Sequence, residues 1–142
     1  MRRSSASRVL YIDGSRDGDE LISTLRRAEN TAYRISTANT PNDALELIVA
    51  EPFDLFILEH SLPEMSGVEL CRRIRRTDKK TPILLFTGKS RLADCEVAIA
   101  AGATEYLVKP FGAEYLLETI RRLLHDRSAA KSKNQPACCL AK

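Results

Sequence analysis

The sequence predicts an α/β domain in which helices cover both faces of a five-stranded parallel sheet. Five short β-like runs alternate with five helical patterns along the 142 residues, and this alternation is typical of strands joined by crossover helices. The runs are apolar at nearly every position, as expected for strands that are buried on both faces. The length suits one domain with a continuous core.

Each predicted strand centres on one of these apolar runs. The strand cores are Val9 to Ile12, Tyr33 to Ser36, Leu55 to Leu58, Ile83 to Phe86 and Tyr106 to Val108. The predicted helices lie near residues 17 to 29, 41 to 50, 67 to 77, 91 to 101 and 112 to 125.

Two of the predicted helices begin with specific start signals. Thr40 precedes Pro41, a residue that suits the first position of a helix. Ser66 and Glu69 have the spacing of a capping box. In the last helix, leucine and isoleucine recur at helical spacing, so one stripe of that helix is expected to face the sheet.

The composition indicates a water-soluble globular protein. Hydrophobic residues make up 44% and charged residues 29% of the chain, and no apolar stretch approaches the roughly 18 residues that a membrane span needs. The amino terminus lacks the apolar core of a signal peptide, and four irregularly spaced cysteines do not suggest a disulfide framework. We therefore expect a cytoplasmic protein, with one domain over residues 7–127, a flexible polar tail over 128–142 and no output domain.

The net charge of +3 includes a local basic cluster. Its members are Arg72, Arg73, Arg75, Arg76, Lys79 and Lys80. A basic cluster can bind nucleic acid, but this one flanks Ile74 on the expected outward face of an amphipathic helix and has no interleaved aromatic residues. We therefore expect no nucleic-acid partner.

Polar side chains stand at the ends of four predicted strands. Asp13, Glu59, Thr87 and Lys109 follow the first, third, fourth and fifth strands, respectively. In an open parallel sheet the ligand site lies beyond the carboxyl ends of the strands, where the strand order reverses. Carboxylates, a hydroxyl and an ammonium group suit phosphoryl transfer to a carboxylate, because that chemistry depends on positioning and on neutralising phosphoryl charge.

Four segments around these residues carry a resemblance to a known family. They are Leu10-Tyr-Ile-Asp13, Asp54-Leu-Phe-Ile-Leu-Glu59 with Leu62-Pro63-Glu-Met65-Ser-Gly67, Leu84-Leu-Phe-Thr87-Gly88, and Gly102-Ala-Thr-Glu-Tyr106-Leu-Val-Lys109-Pro110-Phe111. Over residues 7 to about 125 the chain resembles the receiver domain of two-component response regulators. The resemblance implies a doubly wound, flavodoxin-like three-layer sandwich with strand order 2-1-3-4-5.

The resemblance also implies a role for each strand-end residue. Glu59 takes the phosphoacceptor place, and Asp13, Glu59 and the backbone carbonyl of Ser61 are the expected Mg²⁺ contacts. Thr87 is the expected switch hydroxyl, and Lys109 is the cation that neutralises the phosphoryl group.

The aromatic residue of the implied switch is Tyr106. In the family this residue changes rotamer when the switch hydroxyl moves. The resemblance likewise suggests a cis peptide bond between Lys109 and Pro110, an isomer that proline makes accessible.

Two departures from the family pattern fall on the chemistry. Gly14 stands where a second acid normally follows Asp13, which removes a metal-binding carboxylate and predicts weak or absent Mg²⁺ binding. Glu59 replaces Asp and moves the carboxylate by about one carbon–carbon bond, roughly 1.5 Å. We therefore expect a pseudo-receiver with impaired or no phosphorylation.

The role of Glu59 has two alternative interpretations. As a mimic it would reach Lys109 or the Thr87 hydroxyl and hold the switch in one state. Alternatively, it is a tolerated carboxylate whose salt bridge to Lys109 steadies the site.

Other functions stay open. One is a functional phosphoreceiver that takes phosphate from a histidine kinase. A nucleotide- or flavin-binding α/β enzyme is the remote alternative, because the turn after Asp13 lacks the glycine pattern of either common phosphate-binding fingerprint. Since receivers are signalling modules, we do not expect an enzyme.

A signalling module of this kind acts by contact with another protein. The resemblance places the contact with a kinase or downstream target on the face formed by the fourth and fifth predicted helices and the fifth strand. Its expected residues are Arg91, Glu96, Tyr106, Glu114 and Arg121. The same face would serve a homodimer.

Overall fold

The structure is a computed structural model that describes residues 7–13, 33–87, 92–108 and 112–126. The strands are β1 (Ser7–Ile12), β2 (Tyr33–Ala38), β3 (Leu55–Glu59), β4 (Ile83–Thr87) and β5 (Glu105–Val108). The helices are α1 (Pro41–Ala50), α2 (Gly67–Thr77), α3 (Leu92–Ala101) and α4 (Ala113–Asp126). The helix predicted near residues 17 to 29 and the tail predicted over 128–142 lie outside the described residues.

The five strands form one parallel sheet in the order β2-β1-β3-β4-β5. This order confirms the doubly wound, flavodoxin-like fold. The chain moves outward from β1 to β2, returns to β3 on the other side of β1, and then continues through β4 to β5. The strand order therefore reverses between β1 and β3.

Two apolar layers hold the helices against the sheet. On one face, α1, α2 and α3 cover side chains such as Leu10, Phe56 and Leu85. On the other face, α4 packs against alternate side chains of the same strands, including Val9 and Leu84. Because neighbouring residues of a strand point to opposite faces, burial on both faces explains why β3 and β4 are apolar almost throughout.

The edge strand β2 departs from the continuous apolar pattern. Arg34 and Thr37 are exposed, whereas Tyr33 and Ala38 are buried. β2 pairs with β1 on one side only among the described strands. This edge position explains why polar residues interrupt its apolar pattern.

The predicted start signals have clear structural counterparts. The Thr40 hydroxyl oxygen accepts from the Asp43 backbone N–H at 3.1 Å, directly before Pro41. The Ser66 hydroxyl oxygen accepts from the Glu69 backbone N–H at 3.1 Å. The side chain of Glu69 accepts hydrogen bonds from arginines of its own helix instead of completing the capping box.

The basic cluster of α2 contains residues with distinct contacts. Arg72 and Arg73 form ion pairs with Glu69 on the helix surface. Arg75 is only partly exposed, since its side chain donates to the backbone carbonyls of Gly102 and Asp78 at 3.0 and 2.9 Å. The expectation that the whole cluster lies on the outward face is therefore wrong for Arg75, which joins α2 to the turn before β5.

The described helices carry no membrane-span signal. None of them combines the length and the apolar character that a transmembrane helix requires.

A buried carboxylate joins β5 to α4. Both oxygens of Glu105 accept hydrogen bonds from the guanidinium group of Arg122, at 2.9 and 3.0 Å. The Glu105 side chain is 4% exposed and that of Arg122 is 45% exposed. The bidentate geometry fixes the direction of the guanidinium group, so this pair adds a specific polar contact to the apolar packing of α4 on the sheet.

Replacement of Arg122 by Met should destabilise the domain. The change leaves the buried Glu105 carboxylate without its bidentate donor, at a cost of about 1–3 kcal/mol in the free energy of unfolding. Urea unfolding measures this quantity. Arg121→Met on the exposed side of α4 is the control, with an expected change within about 0.5 kcal/mol. Equal effects of the two substitutions would contradict the role of the ion pair.

Candidate functional site

The reversal of strand order brings two carboxylates together. Ile12 of β1 lies opposite Leu58 of β3, so the next residues, Asp13 and Glu59, stand side by side at the carboxyl ends of these strands. Asp13 is 7% exposed and Glu59 is 6% exposed. The predicted placement of both acids at this crevice agrees with the register.

The loop after β3 turns back over Glu59. One carboxylate oxygen of Glu59, Oε2, lies 3.4 Å from the backbone N–H of Ser61, which donates to it. The backbone N–H of His60 donates to the carbonyl of Phe86 at 2.8 Å, so the chain leaves the sheet only after Glu59. The carboxylate is therefore held close to the start of its own loop.

Gly67 closes this loop against the strand. Its backbone N–H donates to the carbonyl of His60 at 2.8 Å. A Cβ atom at position 67 would lie 2.3 Å from the backbone oxygen of Glu59, a separation that no real side chain tolerates. The absence of a side chain thus lets α2 begin directly beside the Glu59 backbone.

The same loop contains one residue with a positive φ angle. Glu64 has φ of 74°, a left-handed conformation that is uncommon for residues other than glycine. The Met65 backbone N–H donates to the carbonyl of Pro63 at 2.8 Å, a bond that spans this residue. The loop therefore makes a tight turn between Glu59 and α2.

A tyrosine that sequence reasoning did not select contacts Asp13. The Tyr11 hydroxyl donates to Oδ2 of Asp13 at 2.5 Å. The Tyr11 ring stacks on Phe86 with centroids 5.9 Å apart. The spacing of Tyr11 and Asp13 predicts this contact, because residues two apart on a strand point to the same face.

The remaining switch residues are only partly described. Thr87 ends β4 and pairs with Val108 of β5, and its side chain is not among those described. Tyr106 is 1% exposed and belongs to the apolar layer under α1, α2 and α3. Lys109, Gly14 and the Lys109-Pro110 bond lie outside the described residues, so their expected contributions stay predictions.

The donor set offers few ligands for a metal ion. Mg²⁺ prefers oxygen ligands and is commonly held by one or two carboxylates together with substrate oxygens and water. Asp13 and Glu59 supply two carboxylates here, and one oxygen of Asp13 already accepts the Tyr11 hydroxyl. Within residues 7–13, 33–87, 92–108 and 112–126, no three acidic, histidine or cysteine side chains cluster in a way that would hold a metal ion. The two carboxylates fit the oxygen-donor chemistry of Mg²⁺.

The predicted contact face is exposed except at its aromatic residue. Glu96, Glu114 and Arg121 are exposed on α3 and α4. Tyr106 is buried, so the expectation that its ring forms part of this surface is wrong; it packs inward because it lies on the α3 side of β5. Arg91 lies outside the described residues. Exposed apolar side chains that sequence reasoning did not single out are Val97 on α3 and Tyr115 on α4.

Replacement of Gly67 by Ala should destabilise the domain and disturb the acidic crevice. Because the new Cβ would meet the Glu59 backbone oxygen, the loop must move, and the free energy of unfolding should fall by about 1–3 kcal/mol. Chemical denaturation provides the value. Gly112→Ala, where the added atom meets nothing within 4 Å, should change it by less than about 1 kcal/mol. A Gly67→Ala protein as stable as the Gly112→Ala protein would refute the close approach.

Comparison with known proteins agrees with this geometry. Residues 9–121 match the family described as the response regulator receiver domain. Response regulator MprA of Mycobacterium leprae is 36% identical over 118 residues, which make up 82% of this chain and 50% of the relative. The chain thus spans about half the length of the curated relatives that it matches first.

Solved structures show the same similarity. The chemotaxis response regulator CheY4 of Vibrio cholerae is 34% identical with a TM-score of 0.75, over 84% of this chain and 99% of that structure. The signal receiver domain of an HD domain-containing protein from Pseudomonas fluorescens Pf-5 is 26% identical with a TM-score of 0.80, over 91% and 94% of the two chains. The chain therefore belongs to the response regulator receiver domain family of two-component signalling.

Proposed function

We propose that this receiver acts in two-component signalling by contact with another protein, with impaired or no phosphorylation. The proposal rests on the identity of the acid at the phosphoacceptor position, which is glutamate instead of aspartate. The buried carboxylate beside Asp13 belongs to Glu59, and its Oε2 accepts from the Ser61 N–H at 3.4 Å.

The extra methylene of Glu59 alters the geometry of transfer. It moves the carboxylate by roughly 1.5 Å relative to an aspartate. A displacement of about 1 Å can cost about 100-fold in rate when reacting groups must be aligned. Because the backbone of Glu59 is fixed by its pairing with Phe86 and by the contact with Gly67, the strand has little freedom to compensate.

A weakened metal site would impair transfer further. Asp13, Glu59 and the Ser61 carbonyl are the groups that would hold Mg²⁺, which would supply positive charge to the phosphoryl oxygens. Gly14 provides no second carboxylate after Asp13. The Asp13 oxygen that accepts the Tyr11 hydroxyl is already engaged.

Glu59 then holds the switch of Thr87 and Tyr106 in one state without phosphorylation. A carboxylate that reaches further than aspartate would occupy part of the space that a phosphoryl group takes in the family that this chain resembles. The buried ring of Tyr106 supports a switch that is held in one state. The competing interpretation, in which Glu59 only steadies the site through Lys109, predicts no effect of Glu59 on Tyr106.

The proposed contact surface combines charges with exposed apolar side chains. Glu96 and Val97 are exposed on α3, and Glu114, Tyr115 and Arg121 are exposed on α4. Aromatic residues surrounded by charged ones are common at protein interfaces. A kinase or a downstream target is the proposed partner, and a second copy of the chain would use the same surface.

The second candidate function is a phosphoreceiver that accepts phosphate from a kinase histidine. The position of Glu59 beside Asp13 at adjacent strand ends favours it, because an acid still stands at the phosphoacceptor position. Phosphorylation assays separate the two functions.

Incubation with acetyl phosphate and Mg²⁺ should leave the protein unmodified by intact mass. The Gly14→Asp, Glu59→Asp double substitution should gain a phosphoryl group, since it restores both carboxylates. We expect at least about a 100-fold difference in rate. Glu64→Asp, the same chemical change on an exposed loop residue, is the matched control. A stable phosphoryl adduct on wild-type Glu59 would establish the second candidate function instead.

Glu59→Ala should change the environment of the Tyr106 ring. If Glu59 holds the switch, removal of its carboxylate releases the ring, and its resonance in tyrosine-labelled NMR spectra should shift. Tyr106→Phe assigns that resonance, and Glu64→Ala controls for loss of a carboxylate elsewhere in the loop. A loss of stability with an unchanged Tyr106 resonance would favour the purely steadying role of Glu59.

A further inference from the structure

Tyr11 places a hydroxyl group inside the acidic crevice. It precedes Asp13 by two residues, so both side chains point to the same face of β1. Its hydroxyl donates to Oδ2 of Asp13 at 2.5 Å, and both residues are buried. Tyr11 is thus a polar member of a strand whose other core residues are aliphatic.

The ring of Tyr11 is held in place across the neighbouring strand. Tyr11 lies opposite Ile57 of β3, and Phe86 of β4 lies opposite Glu59. The rings of Tyr11 and Phe86 stack across β3 at 5.9 Å with an interplanar angle of 14°. Stacked and buried, the ring delivers its hydroxyl to Asp13 with little loss of conformational freedom.

A carboxylate oxygen that accepts a hydrogen bond from a hydroxyl group is a poorer ligand for a cation. The hydrogen bond occupies one of about four lone-pair positions of the carboxylate and offsets part of its negative charge. A divalent cation that binds the same oxygen competes with the hydroxyl for its electron density and weakens or breaks the hydrogen bond from Tyr11. Loss of that hydrogen bond counts against binding of the cation.

We propose that the Tyr11 hydroxyl is a built-in competitor of divalent cations at Asp13. It stabilises the acidic crevice without an ion and lowers the affinity of the crevice for Mg²⁺. Tyr11 is therefore a positioning residue of the site. This inference deepens the proposed function and rests on it, because it explains how a receiver keeps its acidic pair with little use of metal.

The competition has two linked consequences. Removal of the hydroxyl should raise the affinity for a divalent cation and should lower the stability of the metal-free protein. A merely structural tyrosine would show the second effect alone. The affinity for the cation is therefore the deciding measurement.

Titration of the full chain with Mn²⁺, followed by electron paramagnetic resonance, tests the inference. Tyr11→Phe keeps the ring and its stacking on Phe86 and should bind Mn²⁺ about threefold to tenfold more tightly than the wild type, as expected from one hydrogen bond. Titration with Mg²⁺ by calorimetry should give the same direction. Tyr33→Phe, which removes the hydroxyl of another buried tyrosine at the opposite end of the sheet, should leave the affinity unchanged.

An Asp13→Asn background makes the test specific. In this background the Tyr11→Phe substitution should have no effect on Mn²⁺ affinity, because residue 13 no longer has the carboxylate oxygen that accepts from Tyr11. Unchanged or weaker binding by Tyr11→Phe would overturn the inference, and so would tighter binding that persists in the Asp13→Asn background.

The outcome can be distinguished from that of the phosphorylation assay. Phosphorylation of the wild type would refute the proposed function, whereas the inference depends only on the ratio of affinities between Tyr11→Phe and the wild type. A wild type that is not phosphorylated, together with a ratio near one, would refute the inference alone.

Discussion

The parallel pairing of β1 with β3 is the constraint on which the site depends. Because Ile12 lies opposite Leu58, Asp13 and Glu59 leave the sheet at the same level and on the same face. A shift of one residue in this register would turn one carboxylate to the opposite face. The buried residues of β3 prevent such a shift, since it would also exchange the two apolar layers.

The sequence predicts the fold because strands that are buried on both faces appear as continuous apolar runs. β3 and β4 are apolar runs bounded by polar residues, and the structure extends each by only one residue, to Glu59 and Thr87. The order of the strands came from resemblance to a family, because periodicity identifies a strand without naming its neighbours. β1 and β2 each extend two residues beyond their predicted cores, to Ser7 and to Ala38, because the added residues do not continue the apolar run.

The site was predicted less completely than the fold. The rule that ligands bind beyond strand ends selected Asp13 and Glu59, and the register sets these two acids at adjacent strand ends. The rule does not select Tyr11, because this residue lies inside the apolar run of the first strand and not at its end. The resemblance places Tyr106 on the contact surface, whereas β5 turns its ring inward. Both errors concern tyrosine, because its apolar ring suits the core and its hydroxyl suits a polar site or the surface.

Two buried carboxylates side by side require compensation, since like charges that are withdrawn from water repel each other and lose hydration. In this crevice the Tyr11 hydroxyl donates to Asp13 and the Ser61 N–H donates to Glu59. Both donors come from the protein itself, one from the strand and one from the loop that Gly67 holds in place. Donors that are built into the backbone and the core act continuously, whereas a metal ion or a phosphoryl group comes and goes. These two hydrogen bonds therefore contribute to holding the acidic pair in a single arrangement.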